Sequence, residues 1–336
     1  MPLAQVPLWP EQASTIAPRV DALTIFLIAL SAFFTIVIFT TLIYFAAKYR
    51  RRYPDQQGEP VKGGLQLELT WTIIPLLIAL GIFAWGADVY FEVAHAPDDS
   101  MDVYVVGKQW MWYTQHMTGQ RENQGLTVPL GRSVKLTMVS QDVIHDFSMP
   151  AFRIKMDVVP GRASSMWFKA TKTGKFHLFC GEYCGTNHSR MVGWVTVLEP
   201  TQFQQWLGSL KVDGSPASEG RKLFLKYQCA TCHSGDAQAR APLLENLYGK
   251  KVALEGGGSV LADDDYIRES ILLPDAKIVA GYRPIMPSFR GQISDVELLQ
   301  LVAFIKALGP GQTPPRIEEG EPPAAAPQLQ PQQKKP

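Results

Sequence analysis

Hydrophobic positions fall in two unbroken blocks early in the chain and in short alternating runs after them. Residues 23–47 are 25 in a row without a charge. At about 1.5 Å rise per residue this run exceeds a hydrocarbon core roughly 30 Å thick, so it predicts a transmembrane helix with room to tilt. Residues 69–87 make a second run of 19, with Trp71 near one end and Trp85 and Tyr90 near the other. Such aromatic flanks suit a membrane–water boundary. Pro75 is expected in the first turns of this helix, where a missing N–H is tolerated. Lys48, Arg50, Arg51 and Arg52 lie between the blocks, with Lys62 further on. Basic residues this close to a membrane mark its cytoplasmic side, so the loop over 48–68 is inside and everything past residue 91 is outside. Residues 1–22 are polar and proline-punctuated and read as a short external lead-in rather than a signal peptide.

Beyond the hairpin the period changes to that of strands. Residues 101–106, 133–139 and 193–198 carry β-branched and aromatic side chains in short runs separated by turns such as Pro160-Gly161 and Thr173-Gly174. About a hundred residues of this kind over 92–199 predict an all-β Greek-key sandwich or barrel. Residues 200–216 read as a linker broken at Gly214-Ser215-Pro216. From 217 to 309 the pattern is helical, with a capping box at Ser294-Asp295-Val296-Glu297 and an Ile293–Leu298 staple. The last 27 residues, 310–336, hold eight prolines among glutamine and alanine and are expected to be disordered.

Composition narrows little. The net charge is +1, which argues neither for nor against nucleic acid, and no nucleic-acid partner is expected. The four cysteines matter more: Cys180, Cys184, Cys229 and Cys232 fall in two motifs. In the first, Cys180, Cys184, His188 and Met191 crowd into twelve residues with Glu182 between the cysteines. Thiolate, imidazole and thioether form the soft donor set that selects copper. His145 follows a strand predicted over 135–143 and is placed to supply a second imidazole, whereas alternation turns His177 away from the face of Cys180. The residues alone leave a Cys2His2 zinc site and a disulfide open, although zinc has no use for Met191. A single-copper site needs one cysteine, so two favour a pair of metals sharing sulfur.

Cys-x-Glu-x-Cys-x3-His-x2-Met, preceded by His145-Asp-Phe-Ser-Met-Pro150 and Lys155-Met-Asp157-Val-Val-Pro160-Gly161, resembles subunit II of the haem–copper cytochrome c oxidases. The resemblance covers roughly residues 20–199 and takes in the helical hairpin and Gln109-Trp110-Met111-Trp112. It implies a cupredoxin-like domain carrying a dinuclear CuA centre. Cys180 and Cys184 would bridge the coppers and His145 and His188 would each bind one. Met191 would bind one copper weakly, with the backbone carbonyl of Glu182 on the other. The Glu182 carboxylate would reach a magnesium ion at subunit I. By the same resemblance Trp110 would receive electrons beside the copper loop. Glu68, in Glu-x-x-Trp-Thr-x-x-Pro, would mark a site of proton uptake. Gly181 departs from the serine expected there, which is not a ligand.

The second motif, Cys229-Ala-Thr-Cys232-His233, attaches a c-type haem through two thioethers with the histidine as axial ligand. Met286 is the sole methionine after it and no histidine follows, so Met286 is the expected second axial ligand; Lys250 and Lys277 are the alternatives in principle. Flanking helices over about 218–227 and 295–308 look like the crossed pair of an all-α class I cytochrome c. The combined expectation is a multidomain membrane protein, subunit II of a caa-type oxidase in a prokaryotic inner membrane, with both redox domains on the periplasmic side. Electrons would pass from an external donor such as a cytochrome c to haem c, then CuA, then haem a of subunit I, where oxygen is reduced; subunit III would be a further partner. Intact copper ligands argue against a quinol-oxidase subunit, and the lack of a large catalytic domain against a nitrous oxide reductase. A free-standing membrane-anchored relay is the remaining alternative.

Overall fold

The computed structural model describes residues 9–58, 63–209, 214–233 and 240–308. In chain order the helices and strands are α1 (Ala17–Lys48), α2 (Leu65–Ala94), β1 (Met101–Lys108), β2 (Met111–His116), β3 (Arg121–Asn123), β4 (Gly125–Pro129) and β5 (Ser133–Ser140). Then follow β6 (His145–Met149), β7 (Ile154–Val158), β8 (Ser164–Lys169), β9 (Gly174–Cys180), β10 (Val192–Leu198), α3 (Pro200–Ser209) and α4 (Pro216–Lys226). The last are β11 (Lys251–Ala253), β12 (Ser259–Leu261), α5 (Asp264–Leu272) and α6 (Asp295–Ala307). Lys62 and residues 310–336, with the disorder expected for them, lie outside the described residues.

Both apolar blocks are helices long enough to cross a membrane, with their apolar side chains turned outward. They exceed the uncharged runs at both ends. Because α2 starts at Leu65, Pro75 stands in its interior rather than in its first turns and withdraws one backbone donor there. The lead-in also differs from expectation. Ala13 and Ile16 are fully buried in the core of the β-domain, and Ser14 bridges Ala170 beside β8. These small and apolar positions complete the sandwich before α1 begins.

The β-domain is two five-stranded sheets, ordered β3-β2-β1-β5-β8 and β4-β10-β9-β6-β7. Parallel pairs β1/β5 and β4/β10 join strands distant in sequence, as Greek-key crossovers require. Alternation puts Phe176, Leu178 and Cys180 of β9 inward and His177 and Phe179 outward. On β5 alternation fails: residues 136–140 are all buried, because the outer positions are covered by the C-terminal domain. The expected strand over 135–143 ends at Ser140, and His145 opens β6 after a turn. Residues 200–209, read as linker, form α3, whose Phe203 and Trp206 rings lie on the buried His116 of β2.

In the C-terminal domain α4 crosses α6, and the small hairpin β11/β12 is an addition to the all-helical expectation. Ser215 and Asp263 cap α4 and α5, and the Ser294/Glu297 capping box starts α6, each satisfying first-turn N–H groups. The crossing needs Gly220: a Cβ there would stand 1.8 Å from the carbonyl oxygen of Gln300. Phe224 and Phe304 meet beside it with centroids 5.2 Å apart. Gly220→Ala should therefore force the helices apart and destabilise this domain by about 3 kcal/mol, the upper end of overpacking costs. Thermal unfolding of the full chain followed by circular dichroism checks this; an unchanged midpoint would contradict the close crossing.

Candidate functional site

Three segments of the β-domain converge at one end of the sandwich. β9 ends at Cys180, the connection to β10 carries Cys184, His188 and Met191, and β6 begins with His145. Cys180 Sγ and Cys184 Sγ lie 3.7 Å apart. His145 Nδ1 is 3.9 Å from Cys180 Sγ, and His188 Nδ1 is 3.5 Å from Cys184 Sγ. Met191 Sδ is 3.8 Å from Cys184 Sγ, and the Glu182 carbonyl oxygen is 3.3 Å from Cys180 Sγ. His145, Cys180 and Cys184 put their donor atoms within 4.8 Å of one another. All six residues named for the first motif are thus brought together.

These separations fit metal rather than a cross-link, since disulfide sulfurs stand about 2.05 Å apart. Two metal–sulfur bonds of about 2.3 Å meeting near the tetrahedral angle leave sulfurs about 3.8 Å apart, and a nitrogen bond of about 2.0 Å leaves nitrogen about 3.5 Å from sulfur. Met191 is fully buried against the sulfurs, a thioether donor that suits copper better than zinc. The electrostatics agree. Burial opposes ionisation of both thiols, but at Cys180 it is outweighed by His145 and the backbone of Asp146 and Glu182, bringing the pKa down to about 7. At Cys184 burial and the neighbouring Cys180 act together and push it up to about 12. Ionisation of the second thiol is thus opposed by the first, and cations between the sulfurs would relieve that opposition.

Residues outside the motif hold this cluster. Asp142 Oδ1 accepts from His145 Nε2 at 2.8 Å, which aims Nδ1 at the sulfurs. Asp142 Oδ2 also accepts from the Gln109 backbone N–H at 2.7 Å. The Cys184 carbonyl accepts from Trp110 Nε1 at 3.1 Å and from the Gln109 side chain at 2.8 Å. Trp110 therefore sits on the copper loop, while Glu182 and Tyr183 present their side chains outward. His177 is on the opposite face, its ring against Trp194, and His95 and His116 belong to other parts of the chain. Glu68 is in the exposed first turn of α2. Asp142 escaped the sequence reading because a carboxylate in a turn is ordinary until its partner is known.

The departure at Gly181 has a local cause. A Cβ at that position would stand 2.5 Å from Asp146 Oδ1. Asp146 is 1 % exposed, and among the described residues neither carboxylate oxygen has a hydrogen-bond partner, although Lys155 Nζ stands 3.5 Å away. Burial raises its pKa, Lys155 acts against that, and the facing Asp157 adds to it. The Asp146 carboxyl group takes the room that a side chain at Gly181 would need.

The second motif lies in the C-terminal domain. Cys229, His233 and Met286 line one apolar cleft, with Phe224, Phe289 and Ile293 among its walls. His233 Nδ1 donates to the Pro242 carbonyl at 2.8 Å, leaving Nε2 free as a ligand. Burial lowers the His233 pKa against the opposing effect of Pro242, which favours the neutral imidazole that binds iron. Lys277 also borders the cleft, but its ammonium is paired with Glu269. Methionine and histidine on one apolar cleft fit a haem held by both.

A β-sandwich with a soft-metal cluster, joined to a haem-binding helical domain and a hydrophobic hairpin, defines a membrane-anchored electron carrier. Comparison with known proteins identifies its family. Residues 4–86 match the family described as cytochrome c oxidase subunit II, transmembrane domain, and residues 80–197 match its periplasmic domain. Residues 217–309 match cytochrome c. Cytochrome c oxidase subunit 2 of Alkalihalophilus pseudofirmus is 29% identical over 301 residues, covering 84% of this chain and 84% of that protein. Its counterpart in Thermostichus vulcanus is 29% identical over 253 residues, 59% of this chain and 77% of that protein. The solved periplasmic domain of subunit II from Bradyrhizobium japonicum is 31% identical over 34% of this chain and 96% of that one, with a TM-score of 0.33. The chain belongs to the cytochrome c oxidase subunit II family, in the form that carries a fused C-terminal cytochrome c domain. It is the electron-transfer subunit of a terminal oxidase, anchored in the membrane with its redox domains on the periplasmic side, and it works beside subunit I. The family carries CuA copper, and the added domain carries haem.

Gly181→Ser is expected to displace Asp146 and the neighbouring Cys180 sulfur, lowering the copper content of the purified chain severalfold. Adding Asp146→Ala should restore it. Full copper in the single variant would show that the glycine is not required.

Proposed function

We propose that Cys180 and Cys184 bridge two coppers, with Nδ1 of His145 and His188 as end ligands, Met191 weakly on one copper and the Glu182 carbonyl on the other. The observation that carries this is the pair of sulfurs 3.7 Å apart with an imidazole nitrogen facing each. Cys229 and Cys232 form the haem thioethers, and His233 and Met286 are the axial ligands. The working division is a hairpin over 23–91, a copper domain over 92–199, a linker over 200–216 that includes α3, and a cytochrome c domain over 217–309.

When bound, these groups supply two one-electron carriers in series, between an external cytochrome c and haem a of subunit I, where oxygen is reduced. The chain's own residues do the rest. Asp142 fixes the orientation of His145 through Nε2. Gln109 and Trp110 clamp the Cys184 carbonyl, and the burial of Cys180 and Cys184 keeps water from the sulfurs. Trp110 offers an aromatic contact for electrons arriving at the copper loop. The exposed Glu182 carboxylate is free to reach a magnesium ion at the contact with subunit I, the hard oxygen ligand that ion prefers. Glu68, in the first turn of α2, is placed to take protons at the cytoplasmic edge. Subunit III is a further expected neighbour.

Two substitutions test the ligand sets separately. Cys184→Ser should abolish the spectrum of one electron shared by two coppers, read by electron paramagnetic resonance, while the haem stays attached. Met286→Ala should leave the haem covalently bound but change its low-spin ligand spectrum; an unaltered spectrum would remove Met286 from the site. Copurification of the chain with subunit I and haem a distinguishes the oxidase from a free-standing relay.

A further inference from the structure

The C-terminal domain rests on the outer face of the copper-domain sheet through one side of α6. Leu299 and Ala303 are 5 % and 0 % exposed and bury themselves against Tyr104 of β1 and Val139 of β5, with Val106 and Val296 beside them. Around this apolar strip runs a chain of charges of alternating sign that crosses between the domains at both ends. Lys306 Nζ is 2.9 Å from Asp102 of the copper domain and 3.6 Å from Asp264 of its own. Asp264 in turn is 3.2 Å from Lys135 of the copper domain. Burial works against the Lys306 ammonium, yet Asp264 and Asp102 hold its pKa above the ordinary lysine value.

The far end of α6 touches the part of the copper domain that carries His145. Asp295, its first residue, accepts from Arg268 at 2.8 Å with one oxygen and from the Gly161 backbone N–H at 2.8 Å with the other. Pro160 next to it bridges Ser140, and the Ser140 hydroxyl oxygen accepts from the Asp142 backbone N–H at 3.2 Å. Asp142 holds His145. On the other side Ile293, two residues before Asp295, lines the haem cleft. A second contact runs parallel: Val106 of the apolar strip precedes Gly107, where a Cβ would stand 3.0 Å from the His145 ring.

We propose that the cytochrome c domain is docked on the copper domain in one fixed orientation through this face of α6. We propose further that the Asp295–Gly161 contact is where an electron from the chain's own haem crosses toward His145. The second half rests on the ligand sets proposed above; the docking itself does not. In the transfer the haem iron is oxidised by one electron and the copper pair is reduced by one, with no bond made or broken and no proton moved. A tether alone gives a high effective concentration but no fixed path. The apolar strip and the alternating charges supply the orientation.

The test uses the full chain in its oxidase complex. A carbodiimide joins amine to carboxylate without a spacer, so mass spectrometry should find Asp102–Lys306 and Lys135–Asp264 links across the boundary and an Asp264–Lys306 link within the cytochrome domain. Ala303→Arg, on the face turned away from the haem, should abolish the two crossing links, keep the internal one and leave the haem spectrum unchanged. It should also slow haem-to-copper transfer after flash reduction at least about tenfold, the scale of one lost interface anchor. Asp295→Ala should keep all three links and slow transfer about tenfold, the low end of the worth of a hydrogen bond to a charged acceptor. Absence of the crossing links in the unaltered chain would overturn the docking whatever metals are bound. Crossing links with an unchanged transfer rate in Asp295→Ala would overturn the route. Absence of copper or haem would be a failure of the ligand assignment and leaves the cross-link result to stand alone.

Discussion

Two sulfurs held 3.7 Å apart under protein cover set the terms for the whole copper domain. Each is a potential anion, and two anions that close in a poorly solvated pocket repel strongly. His145 and the backbone outweigh burial at Cys180, whereas burial and the neighbouring sulfur together oppose ionisation of Cys184. The fold's task is to hold the pair in place regardless, so that soft cations complete it. The sandwich does this by anchoring the loop at both ends. β9 and β10 are hydrogen-bonded neighbours, and the Cys180 N–H donates to the Met191 carbonyl across the base of the loop. Asp142, Gln109 and Trp110 then fix the loop from outside.

Much of this was legible in the sequence because donor atoms of unusual chemistry sat at fixed spacing. The copper cluster, the haem motif, the hairpin and the capping box of α6 are all local patterns. What escaped depends on neighbours remote in sequence. His145 could be chosen from its position alone, but its strand could not be bounded, since the turn at 141–144 is held by side-chain contacts of Asp142 and Ser140. Gly181 looked like a harmless departure, and only the folded β6 shows Asp146 filling its space. The lead-in read as polar because its two core residues, Ala13 and Ile16, are too few to make a pattern.

The same reasoning explains β5. A sheet with one wet face should alternate, and β5 does so only in its first half, at residues 133–136. Nothing local distinguishes a strand covered by a second domain from one buried in its own. Over residues 217–309 eleven acids balance eleven bases, and that balance likewise concealed a charge pattern. Equal numbers of acids and bases say nothing about Lys306 and Asp264 meeting opposite charges across a boundary.

The joints between the membrane helices and the copper domain are stiff. Arg153, in the left-handed region at φ 58°, fastens Asp21 of α1 with two hydrogen bonds of 2.7 and 2.9 Å. Arg19 ties α1 to Asp88 and Glu92 of α2, and the Trp167 indole of β8 donates to the Glu92 carbonyl at 2.9 Å. These ties hold the β-domain, and the copper loop with it, against the outer ends of both helices. Helices longer than the hydrocarbon layer answer a thinner bilayer by leaning over. With such joints the β-domain leans with them, and membrane thickness becomes a bearing on which the redox centre turns.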